Sequence, residues 1–219
     1  MQPMQFFICS YGGCASWTIA RFLRRYGTIH HIHSRKPPEY LTLPVSQKIL
    51  HRWFGGGAKE HFSNSPSDRI QDTSTCSVLY LYVKPVYSIF SKKAFSVRHL
   101  KSIDVSGTNL RTISKMSRSD YLRRGVDLIS YEQFFDNYVS QGINRNYNII
   151  AVNVHKLWSH LPELFEILNI PQTDIVSFPH KRSRQREKEI QEHLDDIYAH
   201  FNQRIDHMKP IVVFRAKEV

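Results

Sequence analysis

Continuous apolar runs alternate along this chain with stretches of helical periodicity. Residues 6–10, FFICS, are mostly apolar and lead into Tyr11-Gly12-Gly13. Beyond them Trp17, Ile19, Ala20, Phe22 and Leu23 recur at helical spacing, with Arg21, Arg24 and Arg25 toward solvent. This pattern predicts a buried strand, a glycine turn and a helix. Residues 27–34, GTIHHIHS, alternate and carry β-branched residues, which predicts a second strand that stops at Arg35-Lys36-Pro37-Pro38. Residues 44–54 read as a short amphipathic helix, and a long polar loop then runs to Ser77. Residues 77–83, SVLYLYV, are the clearest strand, and their unbroken apolar character suits a central position covered on both faces. A helix is predicted from about residue 86 to 99, another over 119–141, and a buried strand over 147–154, YNIIAVNV. An amphipathic helix follows to about Asn169, and 183–207 reads as one long polar helix ended by Pro210.

Strand–helix alternation with three or four buried strands predicts an α/β fold on a mainly parallel sheet. In such sheets ligands bind beyond the carboxyl ends of the strands. The glycine turn, the His-rich end of strand two and the Lys84-Pro85 end of a later strand are therefore expected to converge on one cleft. A strand that turns through small residues into a helix aims backbone N–H groups at one spot, and the helix dipole adds to the field. Ser10, Ser16 and Thr18 add hydroxyl donors. A phosphate-type ligand is the natural occupant, and an ordinary strand–turn–helix is the alternative. The loop is not an ATPase phosphate loop, because no Gly-Lys-Ser/Thr follows Gly12 and Gly13. Nor is it a dinucleotide fingerprint, since the third glycine is missing.

Charge narrows the partner. Thirty Lys and Arg stand against 19 acidic residues, a formal charge of +11, so an anionic partner is expected. The one dense basic run is Lys181, Arg182, Arg184, Arg186 and Lys188. No RNA-binding signature, zinc finger or heptad basic region accompanies it, so no specific nucleic-acid partner is called. Cys9, Cys14 and Cys76 have no disulfide-framework spacing and fit a reducing compartment. Met1 to Gln5 carries no basic leader, and no apolar run approaches a membrane span, so the chain is read as soluble and cytoplasmic. No metal-ligand spacing stands out, and the oligomeric state is left open.

With those pieces in order, the chain resembles the sulfotransferase family, whose members use 3′-phosphoadenosine 5′-phosphosulfate (PAPS). SYGGCASWTI is similar to the family's 5′-phosphosulfate loop, typically Tyr-Pro-Lys-Ser-Gly-Thr-Thr-Trp. LYLYVKPVYSIFSK is similar to the 3′-phosphate segment, where a strand ends in Arg-x-Pro and a serine follows six residues after the proline. Pro85 and Ser91 keep that spacing. NIIAVNVHKLWSHLPELFEILNIP, followed by FPHKRSRQR, is similar to the family's late strand, helix and basic cofactor-closing segment. Three departures stand out, the first being that Trp17 comes one residue early in the loop. Gly13 falls where the loop lysine is usual, and Val83 where the 3′-phosphate arginine is usual. Lys84 is the nearest replacement for that arginine, and Arg35, Lys36 and Lys181 are candidates for relocated charge.

The resemblance implies a P-loop-like three-layer α/β fold, a single sulfotransferase-like domain over 1–219, and a C-terminal basic segment and helix over 180–210. It implies PAPS as co-substrate, no metal, and a small-molecule or glycan acceptor with a hydroxyl group. The cofactor residues would be Tyr11, Gly12, Gly13, Cys14, Ala15, Ser16 and Trp17 on the loop, with Lys84, Ser91, Lys181 and Arg182 toward the 3′-phosphate. Sulfuryl transfer also needs a base for the acceptor proton. Strand alternation puts His31 and His33 on one face and His30 on the other, so His33 is the first candidate, His31 the second and His30 the silent control. Lys36 joins them as a charge-neutralising candidate. Cys14 at a helix start is also a candidate low-pKa thiol. The competing class is a noncatalytic nucleotide- or polyanion-binding protein on the same fold.

Overall fold

The computed structural model describes residues 4–32, 34–42, 66–89, 100, 110–140, 144–181 and 188–216. The strands are β1 (Met4–Ser10), β2 (Gly27–Ile32), β3 (Cys76–Tyr82), β4 (Ile149–Asn153) and β5 (Ile211–Phe214). They form one sheet in the order β2-β1-β3-β4-β5. β1 pairs in parallel with both β2 and β3, β3 pairs in parallel with β4, and β5 closes the edge antiparallel to β4. The helices are α1 (Ser16–Leu23), α2 (Pro85–Ser88), α3 (Leu110–Lys115), α4 (Arg118–Arg124), α5 (Tyr131–Val139), α6 (Leu161–Ile167), α7 (Lys188–Ile197) and α8 (Ala199–His207).

The three-layer arrangement follows from strand alternation. Side chains at successive strand positions point to opposite faces. Phe7, Cys9, Val78, Tyr80, Tyr82, Ile149 and Ala151 pack on one face with residues of α4, α5, α7 and α8. Phe6, Ile8, Leu79, Leu81, Ile150 and Val152 pack on the other with residues of α1 and α6. β1, β3 and β4 must therefore be apolar on both sides, which is why their sequences run without polar breaks. Burying each such side chain contributes about 1.5–3 kcal/mol relative to leaving it exposed.

Several local expectations change. The 119–141 stretch is two helices: Ser117 accepts from the Asp120 amide to open α4, and Gly125 ends it. The long C-terminal helix breaks at Tyr198, whose backbone (φ −112, ψ 23) separates α7 from α8. β5 has no counterpart among the elements the hydrophobic pattern predicts. Trp17 was expected on the apolar side of α1, yet it is 64% exposed, with the Arg24 guanidinium 5.4 Å from its ring centroid. The predicted 44–54 helix, and the part of the 86–99 helix from residue 90 onward, lie outside the described residues. Among the described residues, no helix is long and apolar enough to cross a membrane.

Candidate functional site

The chain runs from β1 outward to β2 on one side and to β3 on the other, so the sheet's switch point lies between the carboxyl ends of β1 and β3. In open α/β sheets that crevice is where ligands sit. The glycine turn fills it. Gly12 has φ 123 and Gly13 φ 70, values that a side chain tolerates poorly. Ala15 follows at φ 52, a left-handed alanine, and such strain costs about 1–3 kcal/mol. Ala15 is also the N-cap of α1 and offers no side-chain acceptor, while its carbonyl accepts from the Ile19 amide at 3.1 Å.

Two buried donors clamp the loop from below. Cys14 Sγ donates to the Gly12 carbonyl at 3.2 Å, and Ser88 Oγ donates to that same oxygen. Ser88 and Cys14 are both fully buried. Burial pushes the Cys14 thiol up to about 12, outweighing the lowering by its hydrogen bonds to Gly12 and Ser88. The candidate low-pKa thiol is therefore an inert clamp, because desolvation of a thiolate exceeds what a helix start supplies. Tyr11 likewise turns inward. Its ring lies 4.7 Å from Tyr131 and 5.8 Å from Phe134, and burial holds its hydroxyl well above 10.0.

The ends of β3 and β4 carry the cations. Lys84 is the N-cap residue of α2, and its Nζ lies 2.7 Å from Asp206 Oδ2. Lys156 Nζ donates to the Asp206 backbone oxygen at 3.1 Å, and Lys181 Nζ to the His155 backbone oxygen at 2.9 Å. The His155 ring stacks on Tyr87, 4.8 Å between centroids and 18° between planes. Burial, then Lys181, Lys84 and Lys156, lower the His155 pKa from its ordinary 6.5, with Asp206 opposing. Tyr87 adjoins Ser88, so α2 touches the glycine loop at one residue and the cation cluster at the next.

Strand two brings His31 into register with Ile8 of β1, half-buried. His30, on the opposite strand face, is packed into the structure. It is buried, shares a 2.8 Å hydrogen bond with Gln5 Oε1, and lies 4.8 Å from the Phe7 ring. Desolvation lowers its pKa. Lys36 is exposed. Arg35 is buried, donating to the carbonyls of Ile129 at 3.3 Å and Ser130 at 3.4 Å, and its charge reaches Tyr11. His33, Ser91 and Arg182 lie outside the described residues.

The structure thus gathers Tyr11 through Trp17 at the switch point and brings Lys84 and Lys181 together around His155. Sequence reasoning missed Ser88, Tyr87, His155, Lys156 and Asp206. His155-Lys156 directly after an apolar strand was a usable signal, because strand carboxyl ends build ligand sites. Asp206 had no local signal. Among the described residues, no group of three His, Cys, Asp or Glu could hold a metal ion. No family model, characterised protein or solved structure matches this chain.

Proposed function

We propose that the chain is a sulfotransferase that moves a sulfuryl group from PAPS to a hydroxyl-bearing acceptor, such as a carbohydrate, on a P-loop-like form of the α/β fold. One observation carries this reading. The positive-φ loop at Gly12, Gly13 and Ala15 opens into an uncapped helix at the sheet's switch point, with Lys84 just after β3 and Lys181 reaching the turn after β4. Loop amides and a helix start suit the phosphosulfate, and lysines suit a second phosphate. The exposed Trp17 ring beside the loop suits stacking on a base.

On this reading the S–O bond to the leaving phosphate breaks as the acceptor oxygen bonds to sulfur. The acceptor's proton passes to His33, with His31 as the second candidate. The protein's part is positioning and charge neutralisation, as in phosphoryl transfer. Lys36, Arg35, Lys84, Lys181 and Arg182 are the candidate cations, and Ser91 remains the candidate serine.

A specific observation favours a second reading, a noncatalytic nucleotide- or polyanion-binding protein on the same fold. The loop has Gly13 in place of a lysine, and Lys84 is already paired with Asp206. Thermal stabilisation separates the two. A ligand at about 100 times its Kd should raise stability by about 2.7 kcal/mol. Selective stabilisation by 3′-phosphoadenosine 5′-phosphate over ATP and heparin supports the enzyme. An equal response to all three supports the binding protein, and no response to any refutes both.

A further inference from the structure

Beyond β3 and β4 there is more positive charge than the neighbouring acid neutralises. Lys84 approaches from the start of α2, Lys156 from the turn after β4, and Lys181 from the segment after Phe178. Among the described residues, Asp206 of α8 is the one carboxylate engaged with them, at 2.7 Å from Lys84 Nζ. The other two ammonium groups rest on neutral acceptors, the backbone oxygens of Asp206 and His155. A carbonyl satisfies an N–H donor and leaves the charge in place. Three positive charges therefore meet one negative charge.

His155 stands among them. Its ring is oriented by the stack on Tyr87, and the residue is exposed. Among the described residues, the groups that act on the imidazole are Lys84 and Tyr87 from α2 and its entry, Lys156 from its own turn, Lys181 from the later segment, and Asp206 from α8. Such a field disfavours a fourth cation until an anion arrives. We propose that Lys84, Lys156, Lys181 and His155 form a proton-coupled site for a tetrahedral oxyanion, a phosphate or sulfate group, in which His155 becomes a cationic donor once the anion is bound. The bound anion cancels the lysine field, a proton moves from solvent onto the free imidazole nitrogen, and by linkage that proton tightens the anion. The site shares Lys84 and Lys181 with the second-phosphate position of the proposed function but does not depend on that reading, because an inorganic oxyanion is enough to fill it.

Calorimetric titration with sodium sulfate at constant ionic strength tests this, since sulfate keeps its charge across the neutral range. From about pH 7.5 to about pH 5.5 the sulfate affinity should rise roughly tenfold, and one coupled proton limits the slope to about tenfold per pH unit. Buffers of different ionisation enthalpy should show uptake of up to one proton per sulfate bound. His155→Gln should flatten the pH dependence to within about twofold and abolish the uptake. Its exposure leaves the fold unaffected, which an unchanged melting temperature checks. Lys156→Met with Lys181→Met should weaken sulfate about tenfold or more at every pH.

No sulfate binding, a pH-independent affinity, or an unchanged slope in His155→Gln would each overturn the proposal. A parallel titration with 3′-phosphoadenosine 5′-phosphate identifies the source of the anion. Competition with sulfate, with the same His155-dependent proton uptake, assigns the site to a nucleotide phosphate. Proton-coupled sulfate binding without nucleotide binding assigns it to a free oxyanion, and then the sulfotransferase reading falls while this site stands.

Discussion

Ser88→Ala tests whether the glycine loop is held from beneath. Ser88 is fully buried, and its hydroxyl donates to the Gly12 carbonyl. Removing one partner of a buried hydrogen bond costs about 1–3 kcal/mol. Here the orphaned carbonyl keeps a second donor, Cys14 Sγ at 3.2 Å, but a thiol donates weakly. The loss should therefore fall near the lower end, about 1–2 kcal/mol. For a chain of this size each kcal/mol lowers Tm by about 2–4 °C, so the drop should be roughly 2–8 °C. Urea denaturation gives the free energy and calorimetry the Tm. Ser159→Ala is the control, because Ser159 is exposed and its hydroxyl bonds only near neighbours in sequence, the Lys156 carbonyl and His160 Nδ1, so its change should stay within about 0.5 kcal/mol. On the proposed function, a loosened loop should also weaken 3′-phosphoadenosine 5′-phosphate. A Ser88→Ala variant as stable as Ser159→Ala would refute the clamp, and lost stability with full nucleotide affinity would show that the loop's shape does not serve the ligand.

Three further outcomes follow from the same geometry. Trp17→Ala should change stability by less than about 0.5 kcal/mol, since the ring is exposed. It should weaken the nucleotide by about 1–3 kcal/mol if the ring stacks on the base, and unchanged affinity in a fluorescence titration would remove Trp17 from the site. Burial pushes both Cys9 and Cys14 up to about 12 from 9.0, so their contribution to stability is fully present below pH 9.0 and is lost as pH rises toward 12. In the native protein a thiol reagent near about pH 8 should modify Cys76, which is half-buried with its thiol also pushed up by burial, well before Cys14, which should react only at the rate of unfolding; fast labelling of Cys14 would contradict its burial. If His33 is the base, His33→Ala should cut turnover roughly 10²–10⁴-fold with little change in nucleotide affinity, and the rate should fall below about pH 6 as the imidazole protonates. His31→Ala is the informative comparison, because His30 is buried against Phe7 and its loss would disturb packing.

The central sheet was written locally. FFICS, SVLYLYV and the core of YNIIAVNV are apolar without interruption because each is covered on both faces, and a strand in that environment has no freedom to be polar. Their parallel pairing followed from the helices between them. The glycine turn was equally legible, since Gly12 and Gly13 are placed where the backbone needs positive φ. Signals for the α4 boundaries were present in Ser117, Asp120 and Gly125, but the longer helical pattern obscured them.

Other features needed the folded chain. IVVF is too short to declare itself, and it becomes β5 only because β4 offers a free edge. Trp17 and Tyr11 exchange the roles that hydrophobicity suggests: the Trp is exposed and the Tyr is in the core, because orientation is fixed by what packs against each. The thiol of Cys14 shows the same reversal, with burial setting its chemistry in place of the helix start. The cation cluster is the most non-local of all. Lys84, His155, Lys181 and Asp206 are separated by 122 residues between the first and the last. Parallel strands bring Lys84 and His155 together at the carboxyl ends of β3 and β4, and the segment after Phe178 and helix α8 then fold back to add Lys181 and Asp206, so charges far apart in sequence share a single field.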